Sequence, residues 1–315
     1  MTDLLLAVLG VLDLGVMQGL VLAGLALSVV VSLLVLDFPD LSIEGTFPLG
    51  AAVAAVLLTS GEPPVVALVA AGVAGACGGL LTSAVHVRFG MSKLLSGICT
   101  AAIFYTLNMW IMGGRGNLPV LDVGSYFTWA EALDASLKQR WYSSLNAFFH
   151  PASILAGLLV VILLKGASDF LLGSELGVVL RGIGQNEVAV RQRGRRTGVY
   201  KVVGLALSNA YAGIAGAVAA QYQGFSDVNM GIGVLVLGLV GVILGQELFA
   251  RLGIGLASPR ATTLAALVGV TLHQVILAAA LRAGTPPTSL RLLAGVSLVA
   301  VMALRRRRRA LTFSW

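Results

Sequence analysis

The chain has 315 residues, 57% of them hydrophobic and only 11% charged, with a mean hydropathy of +0.93. Soluble domains carry about 25% charge, so the composition excludes a water-soluble globular protein and points to a polytopic, all-α membrane protein. The net charge of +7 gathers at the edges of apolar runs, which is not a nucleic-acid signal.

The N-terminus, MTDLLLAVLG, lacks a basic n-region, so no cleavable signal is expected. Residues 14–36 are apolar apart from Gln18 and two serines, long enough to span a bilayer. They run into Asp37-Phe-Pro-Asp-Leu-Ser-Ile-Glu44-Gly-Thr-Phe47-Pro48, where two prolines, a glycine and three carboxylates rule out a plain helix in lipid. Such a segment lines a cavity or opens a discontinuous helix. Further spans are expected over Pro64 to Phe89 and Leu94 to Gly113.

Residues 114–150 break the apolar pattern. Thr128-x-x-Glu131 reads as a capping box. Leu133, Leu137, Trp141, Leu145 and Phe148 form a helical stripe, with Tyr126, Trp129 and Tyr142 nearby. This describes an extracytoplasmic amphipathic segment at the membrane interface, either packed over the membrane domain or available for docking. Pro151 to Leu172 spans next, followed after a basic loop by Val202 to Gln221, Gly231 to Phe249, Thr262 to Leu281 and Leu290 to Leu304. Five arginines, Arg305 to Arg309, follow. The total is roughly eight to ten transmembrane segments with discontinuous helices.

Sixteen of the 21 basic residues fall on one side if Arg305–Arg309 are cytoplasmic. The positive-inside rule then places the C-terminus in the cytoplasm and the N-terminus outside.

The basic loop is the most informative stretch. Arg181 to Lys201 holds six basic residues, and Asn186 is placed to cap a short helix from Glu187 to Gln192. Its acidic residue comes first and its arginines last, the order the helix dipole favours. An ordinary basic cytoplasmic loop would share the composition. The spacing Arg181-Gly-Ile-Gly184-Gln-Asn186-Glu187-x-Ala-Val190-Arg191-x-x-Gly194 closely resembles the coupling loop of ABC-importer permeases of the branched-chain amino acid and ribose superfamily. It departs from them at Gly182, at Val190 and after Gly194. Asp37 to Ala51, Gln221 to Gly233 and the Gly-Gln246-Glu247 triplet are most similar to the tryptophan/tyrosine importer permeases.

That resemblance covers residues 12 to 304 and implies one permease domain over 1–315, of type II ABC-importer kind, with a cytoplasmic coupling loop at 173–201. It implies that Gly184, Asn186, Glu187, Val190 and Arg191 couple to an ATPase. It also implies two ATPase subunits, a second permease copy as a homodimer, and an extracytoplasmic solute-binding protein. The expected location is the bacterial inner membrane, in contact with lipid, and the solute an amino acid or similar small organic molecule. No cofactor is expected in this chain; ATP and Mg belong to the partner.

An internal echo supports an inverted repeat. Phe38-Pro-Asp40-Leu-Ser-Ile and Phe225-Ser-Asp227-Val-Asn-Met share F-x-D-[LV]-[SN]-[IM], and the span parity puts them on opposite sides of the membrane. Polar positions expected along a substrate path are Gln18, Glu44, Asn108, Asn209, Gln221 and Gln246, together with Phe47. Glu44 could instead cap the half-helix beginning near Thr46.

The sequence carries no phosphate-binding G-x-x-x-x-G-K-[ST] loop and no Ser-His-Asp arrangement. His86, His150, His273, Cys77 and Cys99 lack metal-ligand spacing. An enzyme is therefore not expected. The alternative to an ATP-driven permease is an ion-coupled secondary transporter of a small solute with Glu44 as its coupling carboxylate; the coupling-loop pattern favours the former.

Overall fold

The computed structural model describes residues 2–121, 123–141 and 150–312. In chain order the helices are α1 (Thr2–Val21), α2 (Ala23–Val29), α3 (Ile43–Thr59), α4 (Pro64–Phe89), α5 (Lys93–Ile111) and α6 (Thr128–Trp141). They continue as α7 (Pro151–Gly173), α8 (Glu175–Gln192), α9 (Thr197–Gln223), α10 (Val234–Arg251), α11 (Pro259–Arg282) and α12 (Leu290–Thr312). Two short strands, β1 (Asn117–Pro119) and β2 (Phe225–Asp227), pair antiparallel, with Leu118 opposite Ser226.

By length and composition six of these helices can cross a membrane: α4, α5, α7, α9, α10 and α11. A seventh span is the bent pair Val8–Val21 and Ala23–Val35, angled by 48°. The uninterrupted span expected at 14–36 is thus a broken one that starts earlier. It ends in a π-helical turn, Val30–Val35, where the Leu36 amide reaches back to Val31. Two further apolar helices among the described residues, Ile43–Thr59 and Leu292–Ala303, are shorter than the spanning ones.

Helix boundaries follow local chemistry. Helix α4 begins at a proline, whose missing N–H is harmless in a first turn, and stops at Gly90 in the left-handed conformation. Ser92 caps α5 by accepting the Leu95 amide, and Ser258 does the same for α11 through Ala261.

Helix α9 is the hub, with 67% of its apolar window buried. Lipid supplies no hydrophobic drive for helices to associate, so close packing through small residues takes its place. A Cβ at Gly216 would lie 1.8 Å from the Phe47 carbonyl of α3, and one at Gly75 of α4 would lie 2.2 Å from the Asn209 carbonyl. Only glycine permits these backbones to approach so closely.

The two echoed motifs sit at opposite ends of α5. The Asp37 carbonyl, just ahead of the first, accepts from Lys93 at the start of that helix (Nζ to O, 2.5 Å). In the second, β2 pairs with β1, which follows the end of α5. Both motifs form the same turn: Asp40 Oδ1 accepts the Ser42 amide (2.9 Å) and Asp227 Oδ1 the Asn229 amide (2.7 Å).

The amphipathic segment differs from expectation. Thr128 is the first residue of α6, and its hydroxyl donates to the Ser125 carbonyl. The Glu131 amide donates to the Phe127 carbonyl, so no capping box forms; Ser125 supplies the turn by accepting the Phe127 amide. The inward face carries Phe127, Ala130 and Asp134, while Trp129 and Leu133 point outward. Asp134 is buried because it caps α7, accepting the amides of Ala152 (2.8 Å) and Ser153 (3.0 Å). Tyr142, Leu145 and Phe148, and the side chains of Leu137, Trp141 and Arg305–Arg309, lie outside the described residues.

Candidate functional site

Two cavities flank the place where the two halves meet. The larger, about 460 Å³, is lined by Gln18 and Leu22 from the first span, Phe47 of α3, Gln223 at the end of α9, Met230, Ile232, Gly233 and Val234, and Gln274 of α11. None of its lining side chains is charged. The smaller, about 280 Å³, is lined by Glu44, Gly45, Pro48, Tyr105, Asn108 and Val228, with Ile232 common to both.

The expected path residues therefore separate. Gln18 and Phe47 face the larger cavity, Glu44 and Asn108 the smaller. Asn209, Gln221 and Gln246 line neither. Asn209 is fully buried and saturated: its Nδ2 donates to Asp40 (2.8 Å) and to the Leu205 carbonyl, and its Oδ1 accepts from Thr46 (2.7 Å) and Ser42 (3.2 Å). Four bonds leave that amide nothing to offer a solute. Gln221 Oε1 accepts the Tyr126 amide (2.8 Å), tying the segment ahead of α6 to α9. Gln246 is half-buried on α10, beside the Glu247–Arg251 ion pair.

Glu44 does not cap its own helix. It lies in the first turn of α3, but its Oε1 accepts the amide of Gly233 (3.1 Å), the residue that opens α10. A carboxylate at a helix N-terminus complements the dipole, and here the complement crosses from one half of the chain to the other. Gly231 lies close enough that a Cβ there would sit 1.9 Å from the Glu44 carbonyl oxygen. Gln223 and Gln274, both cavity-lining, carried the same signal as Gln246, a polar side chain in or beside an apolar run; sequence reasoning passed over them.

At the other end lies the surface helix. Helix α8 is kinked at Asn186 (φ −157°, ψ 92°), whose Oδ1 accepts the Ala189 amide (3.0 Å) and starts a second short helix. This is the cap the residue order suggested. Gly184, just before the kink, packs on the first broken span: a Cβ there would lie 2.2 Å from the Val35 carbonyl. Glu187 turns inward. It accepts from Thr197 (3.0 Å) and Arg191 (3.1 Å) and pairs with Lys201 of α9 (2.7 Å). Burial pushes the Glu187 carboxyl up, but the hydrogen bonds from Lys201 and Thr197, the Lys201 charge and Arg191 outweigh it and hold the group below its ordinary value. Lys201 also approaches His86 Nε2 of α4 (3.4 Å).

The exposed residues of this short helix are Asn186, Val188, Arg191 and Gln192; Glu187 and Val190 are partly covered. Val188, 63% exposed, went unnoticed in the sequence because one valine carries no local signal of which way it faces. Among the described residues no group of three or more His, Cys, Asp or Glu could hold a metal ion.

Residues 11–302 match the family described as the branched-chain amino acid transport system / permease component. A tyrosine transport system permease protein of Clostridioides difficile (strain R20291) is 34% identical over 286 residues, covering 91% of this chain and 88% of the relative. An uncharacterised protein of Rickettsia prowazekii (strain Madrid E) is 30% identical over 281 residues, covering 89% and 92%. Among solved structures, an ABC transporter described as of metal-chelate type, in an inward-facing conformation, shares the fold at a TM-score of 0.51 and 16% identity, covering 96% of this chain and 97% of its own.

Proposed function

Because the chain belongs to the branched-chain amino acid transport system permease family, and is the non-enzymatic permease component of an ABC-type transporter, we propose that it imports a neutral amino acid at the expense of ATP hydrolysed on a partner. The observation that carries this reading is α9. One 27-residue helix, about 40 Å long, has Lys201 on the surface-helix carboxylate Glu187 in its first turns and Gln223 on the wall of the larger cavity at its other end. A movement of the surface helix reaches the cavity through a single rigid element.

In this reading Asn186, Val188, Arg191 and Gln192 meet the ATPase, while Gly184, Glu187 and Val190 hold the helix in place. Two copies of the chain engage two ATPases in a bacterial inner membrane, with the surface helix and the C-terminus in the cytoplasm. An extracytoplasmic binding protein delivers the solute at the end that carries β1 and β2. ATP and Mg stay on the partner. The larger cavity, uncharged and offering glutamine amides beside Phe47 and Met230, suits an amino acid with an apolar or aromatic side chain. The name of the Clostridioides relative makes tyrosine the first solute to test.

The test is uptake of labelled tyrosine and leucine into proteoliposomes holding the permease, its ATPase and its binding protein. ATP-dependent uptake is expected. Val188→Asp should lower it on the order of tenfold, because an exposed apolar contact centred on a docking helix becomes a buried charge. Uptake driven by an ion gradient without ATP would overturn the proposal and favour a secondary transporter.

A further inference from the structure

The smaller cavity has a feature that the larger lacks, namely a carboxylate without a cation. Among the described residues no Lys, Arg or His lines it. One Glu44 oxygen accepts the Gly233 amide, and the Leu235 amide also acts on the carboxylate. A partly buried carboxylate is costly unless charge, water or a donor answers it. Asn108 adds a second acceptor. It is fully buried; its Nδ2 is committed to the Gly45 carbonyl (3.2 Å), which fixes the amide's orientation, and its Oδ1 has no hydrogen-bond partner. Such an atom costs free energy until a donor reaches it. Tyr105, half-exposed on α5, places a phenol on the same cavity.

We infer that this cavity is a subsite for a primary ammonium group, held by the Glu44 carboxylate and Asn108 Oδ1. The chemistry selects among cations. An ammonium carries three N–H donors that radiate from one point and so can serve two acceptors on different helices. A guanidinium matches a carboxylate through both oxygens, and here one oxygen already holds Gly233. Ca²⁺ takes six to eight oxygens and Mg²⁺ a strict octahedron, whereas the described lining offers one carboxylate and one amide oxygen. The inference rests on the reading of the chain as an amino-acid permease only in that the ammonium would then be the solute's own. The Glu44–Gly233 bond sets the ammonium beside the N-terminus of α10, whose dipole opposes a cation, so the Glu44 charge has to outweigh it.

The test uses the full-length permease in nanodiscs, with propylammonium as the probe and thermal unfolding as the readout, at fixed ionic strength. Guanidinium, sodium and propionate are run in parallel. Propylammonium should stabilise the protein saturably and the other three should not. Glu44→Gln, which keeps shape and removes charge, should raise the apparent dissociation constant at least about tenfold. Ala102→Lys supplies a second variant: Ala102 is an exposed cavity-lining residue, and a lysine there places a built-in ammonium that should block the added one. No saturable shift, an equal shift with sodium or guanidinium, or a shift that survives Ala102→Lys would overturn the inference. Binding of propylammonium without ATP-driven uptake would retain the subsite and discard the import reading. Tyrosine import without propylammonium binding would do the reverse.

Discussion

The two echoed breaks, Phe38–Ile43 and Phe225–Met230, begin from one pattern and end in different surroundings. Each aspartate folds its turn by accepting the amide two residues on. Beyond that they diverge. Asp40 is 1% exposed and joins Ser42, Thr46 and Asn209 in a saturated network under α9. Asp227 stays partly exposed and spends its second oxygen on Asn117 (3.2 Å). The difference shows that the motif dictates a turn, whereas the helix packed over it decides whether the turn is a rigid buried anchor or an adjustable surface joint. The first break holds α3 against the hub; the second is where α10 meets the cavities and Glu44.

That contrast can be broken directly. Asp40→Ala strands the Ser42 amide and the Asn209 amide nitrogen away from water, and should cost about 3 kcal/mol. Asp227→Ala leaves groups that solvent can satisfy, and should cost about 0.5–1 kcal/mol. Thermal unfolding of the two purified variants, side by side, gives the answer; equal losses would mean that the two breaks bear equal structural weight. Asn209→Leu, judged by the same measurement, should fall near Asp40→Ala and should not add to it, because both remove one network.

A gentler probe uses a third carboxylate, held by charge instead of burial. Glu187 has its carboxyl lowered from the usual 4.5 by Lys201, Thr197 and Arg191 against the opposing effect of burial. A group with a lowered folded pKa contributes its stability above the unfolded value and loses it as pH falls through the folded one. The surface helix should therefore loosen only as pH drops below about 4.5. Amide exchange over residues 187–201, corrected for intrinsic rates, should accelerate across that window in the native chain. In Glu187→Gln it should already be fast at neutral pH and lack that step. Raising the salt concentration should mimic the substitution in part, since Arg191 is exposed.

The sequence carried the architecture well wherever the determinant was local or compositional. Apolar length marked the spans, Pro64 and Gly90 bounded α4, and Asn186 followed by Glu187 announced the kinked surface helix. These depend on a residue and its immediate neighbours, through missing donors, left-handed glycine or a side-chain cap, and such terms operate in any tertiary setting. Facing was different. Glu44, expected on the path or else as the cap of its own helix, lines the smaller cavity and caps α10; Leu133, expected in one helical stripe with Leu137 and Trp141, is exposed on α6, whereas Asp134 turns in and caps α7. Glu187, expected on the coupling helix, pairs with Lys201, while Val188 faces out. The path residues read as one set and fall into two cavities and a buried network. Each of these outcomes is a choice of partner across 14 to 189 residues of chain, settled by which backbones can approach through glycine and which buried polar atoms must be satisfied. No local pattern encodes that choice, because in an apolar medium the partner that remains available is set by the packing of the whole bundle.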